Sequence, residues 1–192
     1  MKYNGIYDKV VFVSKPRCAS TAIFNYIYSW DDDSMGTKPL YHRSAKYMRS
    51  ALDADWSNLV TFAVVRCPIQ LVTSWYVHHK FGRPHKQTGK YYPSDINRWI
   101  TDGCPTHWQV DGKNPLIQHV WTHEDNAQIV DCIIRLENPD WKEFEKKTGI
   151  NMESLPISNA SPKISTKNCV LSKESIGKIK NYFEKDFVLF GY

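Results

Sequence analysis

The segment VVFVSKPRCASTAIFNYI, residues 10–27, connects an apolar run to a helix-like pattern through a polar turn that contains a proline and an arginine. The apolar run, KVVFV at 9–13, predicts a short buried β-strand. After the turn, apolar residues at positions 23, 24, 27 and 28 share one helix face, and Ser20 or Thr21 can cap the start of this helix. Oriented backbone N–H groups at a helix N-terminus bind phosphate or sulfate well, so the segment predicts an anion-binding turn.

The side chains of this turn also suit an anion. Small residues at Cys18, Ala19 and Ser20 let the backbone approach a ligand closely. Ser20 and Thr21 add hydroxyl donors, and Arg17 adds a positive charge with a planar fork of N–H donors. An ordinary strand-to-helix turn with a solvated arginine would use the same residues. The patterns GxxxxGK[ST] and GxGxxG are absent from the chain, which excludes a Walker loop and a dinucleotide fingerprint.

A second strand leads to a second candidate anion site. LVTFAVV at 59–65 predicts a strand, and PIQLVTSWYVHHKF at 68–81 predicts a helix with a proline in its first turn. Arg66 follows the strand and Ser74 lies in the helix, so both can reach one anion. Because ligands gather at the carboxyl ends of parallel strands, two such sites suggest a ligand with two separated phosphate groups.

The rest of the chain alternates in the same way, which implies a parallel α/β sheet in a single domain over 1–192. Residues at about 80–130 form an irregular insert rich in Gly, Pro and polar groups, which we expect to determine acceptor specificity. The further predicted elements are helices at 44–52, around DINRWI, at 141–150 and at 172–192, a strand at 132–138, and loops at 31–39 and 158–168.

Composition is that of an ordinary soluble globular domain, with 42% hydrophobic and 23% charged residues and a net charge of +5. No apolar run approaches the roughly 20 residues of a membrane span, and MKYNGIYDK at the start lacks the apolar core of a signal peptide, so we expect a cytoplasmic protein. The five cysteines are widely spaced and form no CxxC pair. This spacing favours reduced, mostly buried thiols over a disulfide framework or a zinc ribbon.

The two anion motifs together resemble those of the sulfotransferases that use 3′-phosphoadenosine-5′-phosphosulfate. VFVSKPRCAST is similar to their 5′-phosphosulfate loop, and VVRCPIQLVTSWY is similar to their 3′-phosphate motif, commonly VRNPxxRxVSxY. RLENPDWKEFEKKTGI resembles the segment after a later core strand, and YFEKDFVLFGY resembles the tail YxxDFxxFGY. The four matches occur in family order and cover most of the chain outside 80–130. The pattern is that of the group that includes the Golgi carbohydrate sulfotransferases.

This resemblance implies a P-loop-like three-layer α/β fold with a central parallel sheet flanked by helices. It implies transfer of a sulfuryl group from the donor to a hydroxyl or amine of a small molecule or a carbohydrate, with adenosine 3′,5′-bisphosphate as product. No metal, nucleic acid or membrane is expected to take part. The sequence does not indicate the acceptor or the oligomeric state.

The resemblance also assigns the turn residues. Ser20, Thr21 and the backbone amides around Cys18 and Ala19 would hold the 5′-phosphosulfate. Arg17 falls where many members carry lysine and some carry arginine, and it would stabilise charge on the bridging oxygen as the sulfuryl group departs. Lys15 precedes Pro16 outside the matched position, and it is predicted to be a surface charge.

Arg66 and Ser74 would hold the 3′-phosphate by the same resemblance. His42 lies in an HxxA-like segment and would act as a general base, since imidazole suits proton abstraction near neutral pH. A structural or surface histidine is the alternative. Lys163 and Lys167 lie in a loop that resembles the segment closing over the nucleotide, although solvated lysines are equally expected in a loop.

The chain departs from the family pattern at Cys67, Gln70 and Leu71, where Asn or Asp, an acid and an arginine are usual. These changes weaken an expected ion pair and put the rigidity of that loop in doubt.

Other functions use the same residues. A polyanion-binding or nucleic-acid-binding protein could employ Arg17, Arg66 and the basic stretch 78–90, and a P-loop kinase relative would use ATP. His119 and His123 could share a helix face and bind zinc, but no third ligand is evident. Tryptophans in and around the insert suit sugar stacking or core packing equally. They are Trp75, Trp99, Trp108 and Trp121.

Overall fold

A computed structural model describes residues 6–7, 9–28, 41–82, 91–153, 155 and 169–192. Its strands are β1 (Ile6–Tyr7), β2 (Val10–Val13), β3 (Val60–Val65), β4 (His123–Glu124), β5 (Ala127–Gln128) and β6 (Cys132–Arg135). Its α-helices are α1 (Ser20–Tyr28), α2 (Ala45–Leu52), α3 (Pro68–Val77), α4 (Ile96–Thr101), α5 (His119–Thr122), α6 (Lys142–Thr148), α7 (Lys173–Tyr182) and α8 (Glu184–Phe190). Within these residues, no helix is both long and apolar enough to cross a membrane.

The chain divides into two compact units, each built from two segments. The first unit comprises Met1–Val65 and Val120–Asn159, and the second comprises Arg66–His119 and Ala160–Tyr192.

A four-stranded sheet forms the centre of the first unit, in the order β1–β2–β3–β6. β1 is antiparallel to β2, whereas β2, β3 and β6 are parallel, with Val13 beside Ala63 and Val65 beside Arg135. The predicted α/β class, a parallel sheet flanked by helices, is therefore confirmed, with three parallel strands. The carboxyl ends of β2 and β3 lie at one edge of the sheet, where open α/β sheets bind their ligands.

Aromatic side chains join this sheet to its helices. Phe12 of β2 stacks on Phe62 of β3 with ring centroids 4.8 Å apart. Phe24 of α1 lies 5.4 Å from Phe12, and Phe144 of α6 lies 4.6 Å from Phe62. Phe12, Phe62 and Phe144 have no exposed surface, so α1 and α6 cover these rings on one face of the sheet.

Helix ends follow the local signals in the sequence. The hydroxyl of Ser44 accepts a hydrogen bond from the Tyr47 N–H (3.1 Å) and caps α2. Gly149, near the end of the helix predicted at 141–150, ends α6 in the left-handed region at a φ of +71°. The predicted loops at 31–39 and 158–168 lie outside the described residues.

The second unit contains α3, a π-helical turn at His78–Gly82, α4, α7 and α8. Its core is aromatic: Trp75 is fully buried and its indole N–H donates to the Tyr92 hydroxyl (3.0 Å). The prediction of one C-terminal helix over 172–192 is wrong, because the helix breaks at Phe183, whose φ and ψ are −115° and 21°. Phe183 and Phe190 are both buried on either side of this break.

Asp131 connects β3 to the start of β6. Its carboxylate accepts hydrogen bonds from the Thr61 N–H and hydroxyl, both at 2.8 Å, and lies 3.5 Å from Lys147 Nζ. Partial burial pushes the pKa of Asp131 upward, but the hydrogen bonds from Thr61 and the charge of Lys147 outweigh it, so the net pKa is below its usual value.

A depressed carboxyl pKa makes the stability of the first unit depend on pH. The folded state binds the Asp131 proton less tightly than the unfolded state, so this contribution is present above the unfolded pKa of about 4 and is lost as the pH falls through the folded value. We expect Asp131→Asn to lower the free energy of unfolding at pH 6 to 7, with the difference from wild type shrinking below about pH 4. Urea unfolding across pH 3 to 7 measures this, with the exposed Asp55→Asn as the matched control. A difference that is independent of pH would contradict the assignment.

All five cysteines are free, as the spacing predicts. Cys18, Cys104 and Cys132 are buried, and Cys67 and Cys169 are partly exposed. Burial raises the pKa of the Cys104 thiol to about 12, so this thiol stays protonated and unreactive at neutral pH.

Candidate functional site

The turn between β2 and α1 has an unusual backbone. Arg17 and Ala19 have positive φ angles of +64° and +57°, whereas Pro16 and Cys18 do not. Alternation of this kind can point neighbouring N–H groups toward one concavity, as in an anion-binding nest. The sequence predicted an anion-binding turn from its small residues, and the left-handed conformation supplies a specific geometry for it.

This conformation is strained, because a non-glycine residue in the left-handed region costs about 1–2 kcal/mol. The surrounding contacts hold it in place. The Cys18 side chain is completely buried, and the Cys18 N–H donates to the Lys15 carbonyl at 3.4 Å. At the other end, the Ile23 N–H donates to the Ala19 carbonyl at 3.0 Å and opens α1. Strain of this kind is typical of ligand-binding turns.

The prediction that Lys15 is a surface charge is wrong. Lys15 is only 1% exposed, because it continues the buried course of β2. Its Nζ lies 6.0 Å from the ring centroid of Trp121, within range of a cation–π interaction. Sequence reasoning missed this buried cation, because Trp121 is far away in the chain and no local pattern connects the two residues.

His42 lies next to the same turn. Its backbone N–H donates to Ser14 Oγ at 3.0 Å, and its Nδ1 donates to the Ser14 carbonyl oxygen at 2.7 Å. Because a carbonyl oxygen only accepts, Nδ1 carries the proton, and Nε2 is the nitrogen that can accept another. The ring also packs against Tyr41, with ring centroids 3.7 Å apart and the planes tilted by 35°. The candidate base His42 is therefore held in one tautomer by Ser14, the first residue after β2.

Of the remaining turn residues, Ser20 is buried at the first position of α1, and Thr21 is partly exposed. Arg17 is partly exposed as well, although the residues on either side of it are buried. The predicted turn residues and His42 thus belong to one compact unit and to one edge of its sheet.

In the second unit, a side-chain clamp holds the backbone of Arg66. The Arg66 N–H donates to Gln118 Oε1 at 2.8 Å, and Gln118 Nε2 donates to the Arg66 carbonyl oxygen at 2.6 Å. The Arg66 guanidinium donates to Gln70 Oε1 at 3.4 Å. Gln70, where the resemblance leads one to expect an acid, therefore offers the Arg66 guanidinium an uncharged amide acceptor instead of an ion-pair partner.

A buried carboxylate supports this clamp. Asp186 of α8 has no exposed surface and accepts hydrogen bonds from the Gln118 N–H (2.7 Å) and the His119 N–H (2.9 Å). His119 Nδ1 donates a third, also at 2.7 Å. The tail motif that contains Asp186 therefore fixes the segment that grips Arg66. The sequence pattern of the tail did not indicate this role for Asp186.

Ser74 lies in α3 and is only 4% exposed. It is therefore a buried helical residue in the same compact unit as Arg66. Lys163 and Lys167, the candidates for the loop over the nucleotide, lie outside the described residues.

The zinc alternative at His119 and His123 has no support in the structure. α5 ends at Thr122, so His123 begins β4 instead of continuing the helix. His119 is engaged by Asp186, and His123 Nδ1 lies 2.8 Å from the Thr122 hydroxyl. Among the described residues, no group of three or more His, Cys, Asp or Glu side chains could hold a metal ion.

Most of the tryptophans singled out in the sequence serve core packing. Trp108 is partly exposed. The fully or almost fully buried ones are Trp75, Trp99 and Trp121. In the basic stretch, Lys80 Nζ donates to the Tyr92 carbonyl oxygen at 3.0 Å, and the residues at 83–90 lie outside the described part of the chain.

The turn after β2 thus combines a left-handed backbone, a buried lysine, an arginine and a helix start, with an oriented histidine beside it. Comparisons of the chain with protein-family models, with curated proteins and with solved structures give no match in any of the three.

Proposed function

We propose that this protein is a sulfotransferase that moves a sulfuryl group from 3′-phosphoadenosine-5′-phosphosulfate to a hydroxyl or amine. The observation that carries the proposal is the turn after β2, with positive φ at Arg17 and Ala19 and a helix that begins at Ser20. Such a turn binds phosphate or sulfate oxygens through backbone N–H groups. The proposal includes a P-loop-like, three-layer arrangement of the chain.

The donor would be held at both ends. Amides around Cys18 and Ala19 and the hydroxyls of Ser20 and Thr21 would bind the 5′-phosphosulfate. Arg66 and Ser74 would bind the 3′-phosphate, with Lys163 in the loop that closes over the nucleotide. Two facts favour this division: β2 and β3 end at the same edge of the sheet, and Arg66 directly follows β3.

In the reaction, the acceptor oxygen or nitrogen forms a bond to sulfur while the bond from sulfur to the bridging phosphate oxygen breaks. The electron pair of that bond leaves with the phosphate, as adenosine 3′,5′-bisphosphate. Arg17 would stabilise this developing charge, and the buried ammonium of Lys15 would add to the positive potential. His42 Nε2 would take the acceptor proton, since Nδ1 is committed to the Ser14 carbonyl.

Nucleotide binding tests the proposal. We expect adenosine 3′,5′-bisphosphate to bind wild-type protein in isothermal titration calorimetry. Loss of a hydrogen bond to a charged group should weaken binding about 10- to 100-fold in Arg66→Ala and about 10-fold in Ser74→Ala. Arg98→Ala is the control, because Arg98 is an exposed arginine that pairs with Asp102.

Other ligands would overturn the proposal. Stabilisation by ATP and magnesium but not by the bisphosphate would indicate a kinase. Binding of oligonucleotides with a steep salt dependence, without bisphosphate binding, would indicate a polyanion-binding protein. If the bisphosphate binds, a donor-dependent mass spectrometric screen of acceptor pools should find products that carry one added sulfuryl group.

A further inference from the structure

A cavity of about 350 Å³ lies in the first unit, beside the anion-binding turn. Its walls come from the turn and the start of α1, from the carboxyl-terminal halves of β3 and β6, from the segment between β6 and α6, and from the segment after α6. The lining residues that matter here are Ala19, Val64, Ile134, Trp141, Glu153 and Leu155.

We propose that this cavity is the acceptor site and that it takes a small aromatic or aliphatic alcohol or amine, neutral or cationic. The inference rests on the proposed sulfotransferase function and narrows the acceptor from a broad range of molecules to one chemical class.

The cavity lies beside the turn that would hold the phosphosulfate. Ala19 belongs both to the cavity wall and to the turn that would hold the phosphosulfate. A molecule that fills the cavity therefore has one end next to that turn. Its hydroxyl or amine can meet the sulfuryl group there without crossing a protein wall.

The volume and the apolar lining of the cavity suit a small acceptor. Val64 and Ile134 present aliphatic side chains from the sheet, and Trp141 contributes an indole. The indole is fixed edge-on, with its centroid 5.7 Å from Phe144 and 6.3 Å from Phe62. A volume of about 350 Å³ is at the small end of the 300–1,000 Å³ typical of ligand pockets, so it suits one ring with short substituents rather than a glycan chain.

The charge of the cavity lining disfavours an anionic acceptor. Among the described lining residues, Glu153 is the single charged one, and it is exposed to solvent. Its position is set by two hydrogen bonds, from the Glu153 N–H to Asn151 Oδ1 and from the Met152 N–H to Glu145 Oε1, both at 2.8 Å. A carboxylate here disfavours anionic acceptors. It also disfavours the nucleotide itself, whose purine edge would find few hydrogen-bonding side chains in these walls.

NMR titration without nucleotide tests the inference, with 2-phenylethanol, 2-phenylethylamine and 3-phenylpropanoate as three probes of similar shape and different charge. We expect the alcohol and the amine to shift the amide signals of Ala19, Trp141 and Glu153. The carboxylate should bind more weakly, and Glu153→Gln should reduce the preference for the amine over the carboxylate about two- to fivefold, as for an exposed charge. Glu184→Gln, an exposed change on α8, should leave the preference unchanged.

A variant that fills the cavity gives a second test. Leu155→Trp should weaken binding of 2-phenylethanol at least about tenfold through overpacking, whereas Leu189→Trp on the exposed side of α8 should not. Probe shifts elsewhere in the protein, an unaffected Leu155→Trp variant, or displacement of the probe by adenosine 3′,5′-bisphosphate would overturn the acceptor assignment. If the bisphosphate binds and the probes do not, only this inference fails. If the probes bind and the bisphosphate does not, the sulfotransferase proposal fails and the acceptor role falls with it.

Discussion

Arg17→Ala is expected to reduce kcat for sulfuryl transfer about 100- to 1,000-fold, the usual cost of removing one preorganised donor from a developing negative charge. Arg17 lies between Pro16 and α1 in the turn that we propose to hold the phosphosulfate, where its guanidinium would stabilise the bridging oxygen as a leaving group. Arg17→Lys keeps the charge but not the planar fork, and its kcat should lie between the two. Steady-state kinetics with any acceptor found in the screen measures all three proteins.

The backbone of Arg17 requires a control of its own. Arg17 has a φ of +64°, so alanine carries the same backbone strain as arginine, whereas glycine relieves it. Arg17→Gly should therefore lose as much activity as Arg17→Ala while its free energy of unfolding rises by about 1 kcal/mol. An alanine variant that keeps more than a tenth of wild-type kcat would remove Arg17 from the catalytic mechanism. Recovery of activity in Arg17→Gly alone would assign its effect to the backbone.

Local signals in the sequence were enough to locate most of the fold. The apolar runs at Val10–Val13 and Val60–Val65 became strands because each is buried on both faces of a parallel sheet. Ser44 and Gly149 marked helix ends because a hydroxyl cap and a left-handed terminus depend only on neighbouring residues. The parallel arrangement followed from the alternation of these elements.

Features that depend on distant residues could not be predicted in the same way. Lys15 is buried against Trp121, and the Arg66 backbone is clamped by Gln118. Both partners come from a segment that carried no recognisable motif. The break at Phe183 was missed because the amphipathic pattern continues through it, and tertiary packing rather than helix propensity decides that the chain turns there.

The site was predictable to the extent that it is continuous in sequence. The turn at Arg17–Thr21 was predicted as one piece because its residues are adjacent. His42 was predicted from a short resemblance, and the structure adds the hydrogen bonds to Ser14 that orient its ring. The cavity lined by Val64, Ile134 and Trp141 was not predicted at all, since its walls come from four separate stretches of the sequence.

Asp186→Ala is expected to lower the free energy of unfolding by about 3 kcal/mol, because it removes the buried acceptor of several hydrogen bonds at once. The Gln118 N–H and two donors of His119 then lose their acceptor in a site that has no exposed surface on the aspartate side. Asp186→Asn should lower the free energy of unfolding by less than Asp186→Ala, because the amide keeps one acceptor oxygen. It should still be destabilising, because its N–H₂ group faces donors. Glu184→Ala, an exposed acidic change on the same helix, should alter stability by less than about 0.5 kcal/mol.

The same substitution separates a structural role of Asp186 from its support of Arg66. Gln118 holds both the N–H and the carbonyl of Arg66, so loosening Gln118 should move Arg66 away from its proposed position at the 3′-phosphate. We therefore expect Asp186→Asn, at a temperature where it is fully folded, to bind adenosine 3′,5′-bisphosphate about tenfold more weakly than wild type. Urea unfolding and calorimetry on the same samples measure both effects. A folded Asp186→Asn protein with wild-type affinity would show that Arg66 keeps its position without this carboxylate. The contacts of Asp186 with Gln118 would then serve stability alone and not nucleotide binding.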